Sequence, residues 1–386
     1  MLTMDVGTMA VIVRKRVILQ VETHFGYGRS ILDGIARYQH THGAWECWFR
    51  PWQTSLPPDL ETWEGVIGRV RSPKDAAPFP RGIPLVNVSN GGTEPPCLPT
   101  VTPDDHAIGA AAAAAFVERG FRSFAAAGLA KRLFANERIE GFQDELARHG
   151  FGPAAVYRSE DVLRNEEAEF AEWLQPLPQP LAIFACNDVT GREVLEIIMK
   201  QGLRVPDDVA VIGVDNDLQV CSLSFPQLSS VRTNATQVGF NAAEMLARMM
   251  EDSSYTPPLR TLVPPVGVVH RLSSDIFAVD DPVVARALAF LRDNLRRDIH
   301  VDALAHHTGV SRKTLELKFE HSLGTTPARE IRARRARMAL ELLVSTRLGM
   351  SEIAERVGVR DQSALSILVK KHAGISPLAY RKKYQV

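Results

Sequence analysis

Arg312, Lys313 and Glu316 form one short cluster of base-reading chemistry, and Gln362, Ser363 and Ser366 form a second. An Arg or Lys can donate to guanine, a Glu can accept from the cytosine amino group, and a Gln suits adenine. Both clusters stand early in a helix-like run that follows a shorter one, with a Gly between. In the first unit 301–308 precedes Gly309, and Ser311 is the polar cap of the second helix. In the other unit 350–357 precedes Gly358. Leu304, Ala305 and Leu315 supply the buried side of the first pair, and Ile353, Ala354 and Leu365 that of the second. This is the helix-turn-helix pattern, whose second helix enters the major groove with its early residues at base edges. Lys370 and Lys371 follow on the second reading helix and suit phosphate contacts. Double-stranded DNA is therefore the first partner expected.

The elements ahead of these units have a different texture. Short apolar runs predict strands at 17–21, 45–49, 65–70, 84–88, 121–128, 181–185 and 209–214. Amphipathic runs between them predict helices at 30–40, 107–119, 137–149, 190–201 and 236–250. Such alternation is the mark of parallel α/β architecture, and two sheets are expected, one on each side of Gly120. The stretch 259–269 reads as a last strand broken by Pro264 and Pro265, and 273–282 as a linker. From Pro282 the pattern is helical throughout, with a long helix at 327–344 joining the two helix-turn-helix units. Residues 1–13 carry no clear pattern.

Charge separates the two parts. The chain holds 45 basic and 45 acidic residues, yet 282–386 carries 20 Lys and Arg against 10 Asp and Glu. That part has a net charge of +10, which leaves −10 on 1–281. A basic end is the footprint of phosphate contact, and an acidic body avoids DNA. Cys47, Cys97, Cys186 and Cys221 lie far apart with no C-x-x-C pair, so neither a metal site nor a disulfide framework is expected. In residues 1–16 the apolar stretch precedes the basic one, the reverse of a signal peptide. No apolar run approaches the roughly 20 residues of a spanning helix. A cytoplasmic location, away from membranes, is expected. Neither a G-x-G-x-x-G after the first strand nor a G-x-x-x-x-G-K-[ST] occurs, so no enzyme activity and no cofactor are expected.

Two resemblances carry the reading further. Residues 283–385 resemble the AraC/XylS DNA-binding domains. The anchors are Leu304-Ala305, Gly309, Ser311, Leu315, Phe319, Gly324, Thr326-Pro327, Arg335, Ala339, Ile353-Ala354, Gly358, Leu365, Gly374, Ser376-Pro377 and Tyr380-Arg381. Ile367 and Val359 depart from the pattern, where Arg and Phe are commoner, so the second unit is expected to rely more on phosphates. From the family motif, Arg335 is expected to brace the two units. Residues 14–272 resemble the LacI/GalR effector-binding domain. The resemblance rests on Asn187-Asp188 after a strand, Gly202-Leu-Arg-Val-Pro206, Ile212-Gly-Val-Asp215-Asn216, Pro226-Gln-Leu-Ser-Ser-Val231, Gly239-Phe240 and Arg138-Ile-Glu-Gly141-Phe142. LacI/GalR regulators carry their helix-turn-helix before the sensor, whereas here it follows, an order similar to that of xylose-operon regulators. The resemblance implies a two-lobed sensor of two parallel sheets with flanking helices, followed by an all-α tandem helix-turn-helix domain. It also implies a sugar effector, a homodimer and, for an activator, RNA polymerase as a partner.

A sugar presents a ring of hydroxyls, each donor and acceptor, and calls for carboxylates, amides and guanidinium groups at strand ends. Asp215, Asn187 and Asp188 follow strands directly. Arg138 opens a helix after one, Asp104 opens another from the other lobe, and Tyr27 and Arg29 stand in the first strand–helix loop. All seven are expected to bind ligand, with Phe25, Phe134 and Phe225 as stacking candidates. The first lobe is expected to span about 14–120 and 232–255, and the second about 121–231 and 259–272. The DNA-binding domain is expected over 283–386.

Overall fold

The computed structural model describes residues 14–49, 56–94, 97–160, 163–276, 281–297 and 299–384. The chain first lays down β1 (Arg16–Gln20), α1 (Gly26–His42), β2 (Glu46–Phe49), β3 (Gly65–Gly68), α2 (Pro73–Ala76), β4 (Leu85–Asn87) and β5 (Thr100–Pro103). It then crosses to a second lobe for α3 (Asp105–Val117), β6 (Ser123–Leu129), α4 (Leu133–Arg148), β7 (Ala155–Ser159) and α5 (Glu167–Leu174). The same lobe continues with β8 (Leu181–Ala185), α6 (Asp188–Lys200), β9 (Val209–Val214), α7 (Leu218–Leu223) and β10 (Ser229–Arg232). It returns for α8 (Ala235–Glu251) and β11 (Arg260–Val263), and crosses a third time to β12 (Gly267–Val269).

The first sheet runs β11-β5-β4-β3-β1-β2 and is parallel throughout. The second runs β12-β10-β9-β8-β6-β7, with β12 antiparallel at its edge. Central strands such as β8 and β9 are buried along their whole length, which is why they read as unbroken apolar runs.

Two expected boundaries are corrected. The division between lobes falls at Pro103–Asp105 and not at Gly120, because α3 packs on α4 of the second lobe. Alanines and glycines allow that approach. A Cβ on Gly109 would stand 1.8 Å from the Arg138 carbonyl oxygen, and one on Gly141 1.9 Å from that of His106. The stretch 259–272 is also divided between lobes. Pro264 and Pro265, which cannot donate to a ladder, separate β11 in the first sheet from β12 in the second. The linker expected over 273–282 begins too early, since Ser273 and Ser274 are fully buried. Ser273 Oγ donates to the Val211 carbonyl at 2.7 Å. Residues 1–13 and 277–280 lie outside the described residues.

Among the described residues seven helices follow: α9 (Pro282–Asn294), α10 (Val301–Thr308), α11 (Arg312–Leu323), α12 (Pro327–Ser345), α13 (Met350–Arg356), α14 (Gln362–Ala373) and α15 (Pro377–Tyr384). They enclose two small cores. One gathers Leu288, Leu291, Leu304, Leu315 and Phe319, and the other Ala339, Leu343, Ile353, Leu365 and Val369. The long α12 joins them. Arg335 on α12 donates to the Arg297 carbonyl at 2.8 Å, tying the connecting helix to the first unit.

Candidate functional site: an interlobe cleft and a helical DNA-facing surface

The carboxyl ends of both sheets face a cavity of about 440 Å³ between the lobes, where open α/β sheets place ligands. Arg138 on α4 is its central cation and is 5% exposed. Its Nε donates to Asp105 Oδ1 at 2.7 Å and its Nη1 to the Cys186 carbonyl at 2.6 Å. Its Nη2 lies 3.7 Å from Asp215 Oδ1, and its guanidinium carbon 4.8 Å from the Phe134 ring centroid. Burial works against the charge, but Asp105 and then Asp215 secure it, so the Arg138 pKa is raised. Asp215 follows β9 at φ +106°. Burial pushes its carboxyl up to about 6, with Arg138 opposing. Asp188 opens α6. Its Oδ2 accepts from the Asp217 amide at 2.8 Å and its Oδ1 from Ser230 Oγ at 2.6 Å. Burial, and then the charge of Asp215, pushes the Asp188 carboxyl up to about 8.

The first lobe contributes Glu22, whose Oε2 is 2.6 Å from Arg69 Nη1, and Tyr27, whose hydroxyl donates to the Val88 carbonyl at 3.2 Å. Burial raises the Tyr27 pKa. Several bonds span the cleft. Asn90 Nδ2 donates to Asp105 Oδ2 at 3.1 Å and to Glu137 Oε2 at 2.8 Å. Arg260 Nη2 pairs with Glu137 at 2.5 Å, and the Gly26 amide donates to Asp217 Oδ2 at 2.7 Å.

In the helical region, Gly309 adopts φ +73° and ends α10, and Ser311 Oγ accepts from the Thr314 amide at 3.1 Å to start α11. Arg312 is exposed and holds Glu316 at 3.0 Å and Asp302 at 3.4 Å. Lys313 is exposed beside it. Asp361 caps α14 through the Ala364 amide at 2.8 Å. Gln362, Ser363, Lys370 and Lys371 are exposed on α14, with Ser366 half-buried. Both reading clusters therefore stand in the first turns of capped helices, on the faces away from Leu315, Phe319, Leu365 and Val369.

Comparison with known proteins agrees with this layout. Residues 113–274 match the periplasmic binding protein-like domain, and residues 304–383 match a helix-turn-helix domain. The chain is 29% identical over 326 residues to the xylose operon regulatory protein of Escherichia coli strain K12, covering 81% of this chain and 83% of that one. It is 26% identical over 317 residues to the protein of the same name from Haemophilus influenzae, covering 78% and 81%. A solved structure of a xylose-binding transcription activator superposes with a TM-score of 0.67 at 28% identity, covering 97% of this chain and 100% of that one.

This chain is a DNA-binding regulator. Its sensor is periplasmic-binding-protein-like and its reader is a helix-turn-helix domain. Among its described residues no helix is long and apolar enough to cross a membrane.

Of the seven expected ligand residues, the regulator's cleft is lined by Asp215, Asn187, Asp188, Arg138 and Tyr27. Asn187 lines it while its Oδ1 caps α6 through the Thr190 amide at 2.8 Å. Asp104 does not line it. Its carboxylate accepts from the Ala107 amide at 2.9 Å, and the next residue, Asp105, turns inward instead. Arg29 also stands aside, bonded to the Thr23 carbonyl at 2.8 Å and 3.3 Å from Asp217. Phe25 and Phe134 line the cleft, whereas Phe225 is 76% exposed outside it. Sequence reasoning missed Glu22, Arg69, Asn90, Asp105 and Asp217. The strand-end rule finds three of them when applied to every expected strand, since Glu22, Arg69 and Asn90 follow β1, β3 and β4.

Proposed function

We propose that the cleft takes xylose or a closely related neutral sugar, and that occupancy alters how a homodimer seats its helix-turn-helix units on adjacent half-sites. The observation that carries this is Arg138, held charged between Asp105 and Asp215 at the strand ends. A fixed guanidinium flanked by carboxylates offers donors and acceptors together, which is what adjacent hydroxyls need. Seven Asp and Glu side chains line the cleft against five Lys and Arg, and with Asp188 protonated the acidic groups still outnumber the cations, a balance that disfavours an anionic ligand. The three similar proteins described above are named for xylose.

In this reading Asp215, Asp188, Asn187, Arg138 and Tyr27 contact the sugar, joined by Asp105. The cleft binds and does not catalyse. Arg312, Lys313 and Glu316 read one half of a site, Gln362, Ser363 and Ser366 the other, and Lys370 and Lys371 hold phosphates. The regulator works in the cytoplasm as an activator that recruits RNA polymerase, with lobe closure as the moving part.

A thermal-shift screen against pentoses, hexoses and sugar acids tests this. A ligand that binds only the folded state at a hundred times its Kd adds about 2.7 kcal/mol, so D-xylose should raise the Tm by several degrees. A flat response to the whole panel would remove the sugar from the reading and leave the DNA-binding assignment in place.

A further inference from the structure

Three consecutive residues after β9 reach three different parts of the molecule. Asp215 faces Arg138 in the cleft at 3.7 Å. Asp217 accepts from the Gly26 amide of the first lobe at 2.7 Å. Between them, Asn216 turns the other way, and its Oδ1 accepts from Arg271 Nη2 at 2.7 Å. Arg271 is buried, 5% exposed, and uses its whole guanidinium. Nη1 donates to the Leu228 carbonyl at 2.8 Å, and Nε lies 3.2 Å from Glu341 Oε1 on α12 of the DNA-binding domain.

We infer that Arg271 is a positioning residue that couples the sugar cleft to the DNA-binding domain through Asn216 on one side and Glu341 on the other. This rests on the proposed sugar reading for the identity of the effector, but not for the connection itself.

Two features favour this route. Asp215 and Asn216 are the two non-glycine residues at positive φ among the described residues, at +106° and +52°. Such backbone is held by its surroundings and is the kind of element that has a second arrangement available. A ligand that engages Asp215 and draws Arg138 toward itself acts directly on that turn. Asn216 shares the turn, so its carbonyl oxygen cannot keep its place on Arg271 when the turn resets. Arg271 is anchored by its backbone too, with its amide donating to Ser229 Oγ at 2.7 Å. Its guanidinium therefore responds by reorienting, and Glu341 feels it. Among the described residues two other ion pairs join the sensor to the helical domain, Arg292–Asp207 at 2.8 Å and Arg334–Asp275 at 3.0 Å. Asp207 precedes β9, at the end away from the cleft, and Asp275 lies beyond the 3-10 turn that follows β12. Of the three pairs, Arg271–Glu341 is the one also bonded to the turn.

The test uses the full chain, D-xylose as probe, and a duplex selected by the wild-type protein from a random DNA pool. Asn216→Ala and Glu341→Gln each remove one end of the connection without touching a sugar-lining side chain. Each should bind D-xylose with a Kd near the wild-type value in calorimetry. Each should also lose most of the sugar-induced change in DNA affinity, by about fivefold or more, the lower range of measured allosteric couplings. A sugar effect on DNA binding of wild-type size in both variants overturns the inference. A second arm needs no sugar. In sugar-free buffer the double variant should change DNA affinity no more than the larger single variant, because both act through Arg271. Strict additivity, or no effect of Asn216→Ala, overturns the coupling. If wild-type protein ignores D-xylose, the sugar assignment fails and this cycle still decides the connection.

Discussion

Arg138 and Asp105 are paired at 2.7 Å inside the second lobe, with side chains 6% and 1% exposed. They come from different helices, α4 and α3, brought into backbone contact at Gly109 and Gly141. The pair thus belongs both to the packing of the lobe and to the wall of the cleft. Removing one partner of a buried ion pair leaves an uncompensated charge and costs about 3–5 kcal/mol. Arg138→Ala should lose stability of that order in urea unfolding and also lose sugar binding. Arg138→Lys should recover part of the stability, but not the affinity, because it keeps the charge and loses the planar fork. Wild-type stability in Arg138→Ala would show that the pair holds nothing together.

Asp215 contributes differently. It follows its strand in a turn and is half-buried, so its loss opens no core. Asp215→Asn keeps a residue that tolerates positive φ and removes the charge. A hydrogen bond to a charged group is worth about 1.5–3 kcal/mol, so the sugar Kd should rise at least about tenfold. DNA affinity without sugar should change little. Equal loss of sugar and DNA binding would mark Asp215 as structural.

The contrast between these two residues shows what could be read from the chain. Asp215 ends a six-residue apolar run, so both strand and site were legible from spacing. Arg138 was legible as a cleft residue, although it stands in the second turn of α4 and not at a helix start, and the carboxylate expected in the cleft from the start of α3 was Asp104, one position early. A helix N-cap consumes the first available carboxylate, and only the packing of α3 on α4 shows that Asp105 turns inward. The lobe boundary failed for the same reason, since nothing local says which lobe an alanine-rich helix joins. Six elements escaped notice, namely α2, β5, β7, α5, α7 and β10. The strand β10 reads Ser-Ser-Val-Arg and β5 ends in Pro, so neither shows apolar alternation. They are strands because neighbours pair with them. The two helix-turn-helix units were visible throughout, because caps, turn glycines and buried leucines are local signals.

The carboxyl of Asp188 predicts a pH dependence. Burial and Asp215 push it up to about 8 in the folded chain, against about 3.9 for an unperturbed Asp. The folded state therefore binds this proton more tightly than the unfolded one. The stabilisation is complete below the unfolded value and is lost as pH rises through about 8. Asp188→Asn is nearly isosteric and cannot ionise, and its amide can still meet Ser230 and the Asp217 N–H. Its Tm should fall less than that of the wild type between pH 6 and pH 9, and exceed it at the alkaline end. Parallel Tm curves for the two proteins would show that Asp188 does not titrate there.

On the DNA side, Arg312 is exposed and bonded only to the exposed carboxylates Glu316 and Asp302 among the contacts described. Such pairs are worth little in water, so the guanidinium is easily released to a base. Arg312→Ala should lower the preference for the best site over single-base variants by about 1–3 kcal/mol at one position, with non-specific affinity falling less. Binding titrations against a panel of single-base variants measure this. A uniform loss across the panel would make Arg312 a phosphate contact.

Leu317 and Ile367 make the last case. Each is the sixth residue of its reading helix, one turn after Lys313 and Ser363, and they are 63% and 70% exposed. A large apolar side chain facing water on an otherwise polar surface gains nothing in the free protein. In the major groove the apolar group available to it is the thymine methyl. A buried methyl-sized group contributes about 0.8 kcal/mol, or roughly fourfold in affinity. A selected duplex remade with deoxyuridine in place of thymidine keeps every hydrogen-bonding group and loses only the methyls. Wild-type protein should bind it about fourfold more weakly for each methyl contacted. Leu317→Ala and Ile367→Ala should each lose one such step of sensitivity. Equal wild-type affinity for the two duplexes would mean that these side chains meet backbone sugars and carry no sequence information. Loss of sensitivity in only one variant would confine the apolar readout to that unit, and with it the division of labour between the two halves of the site.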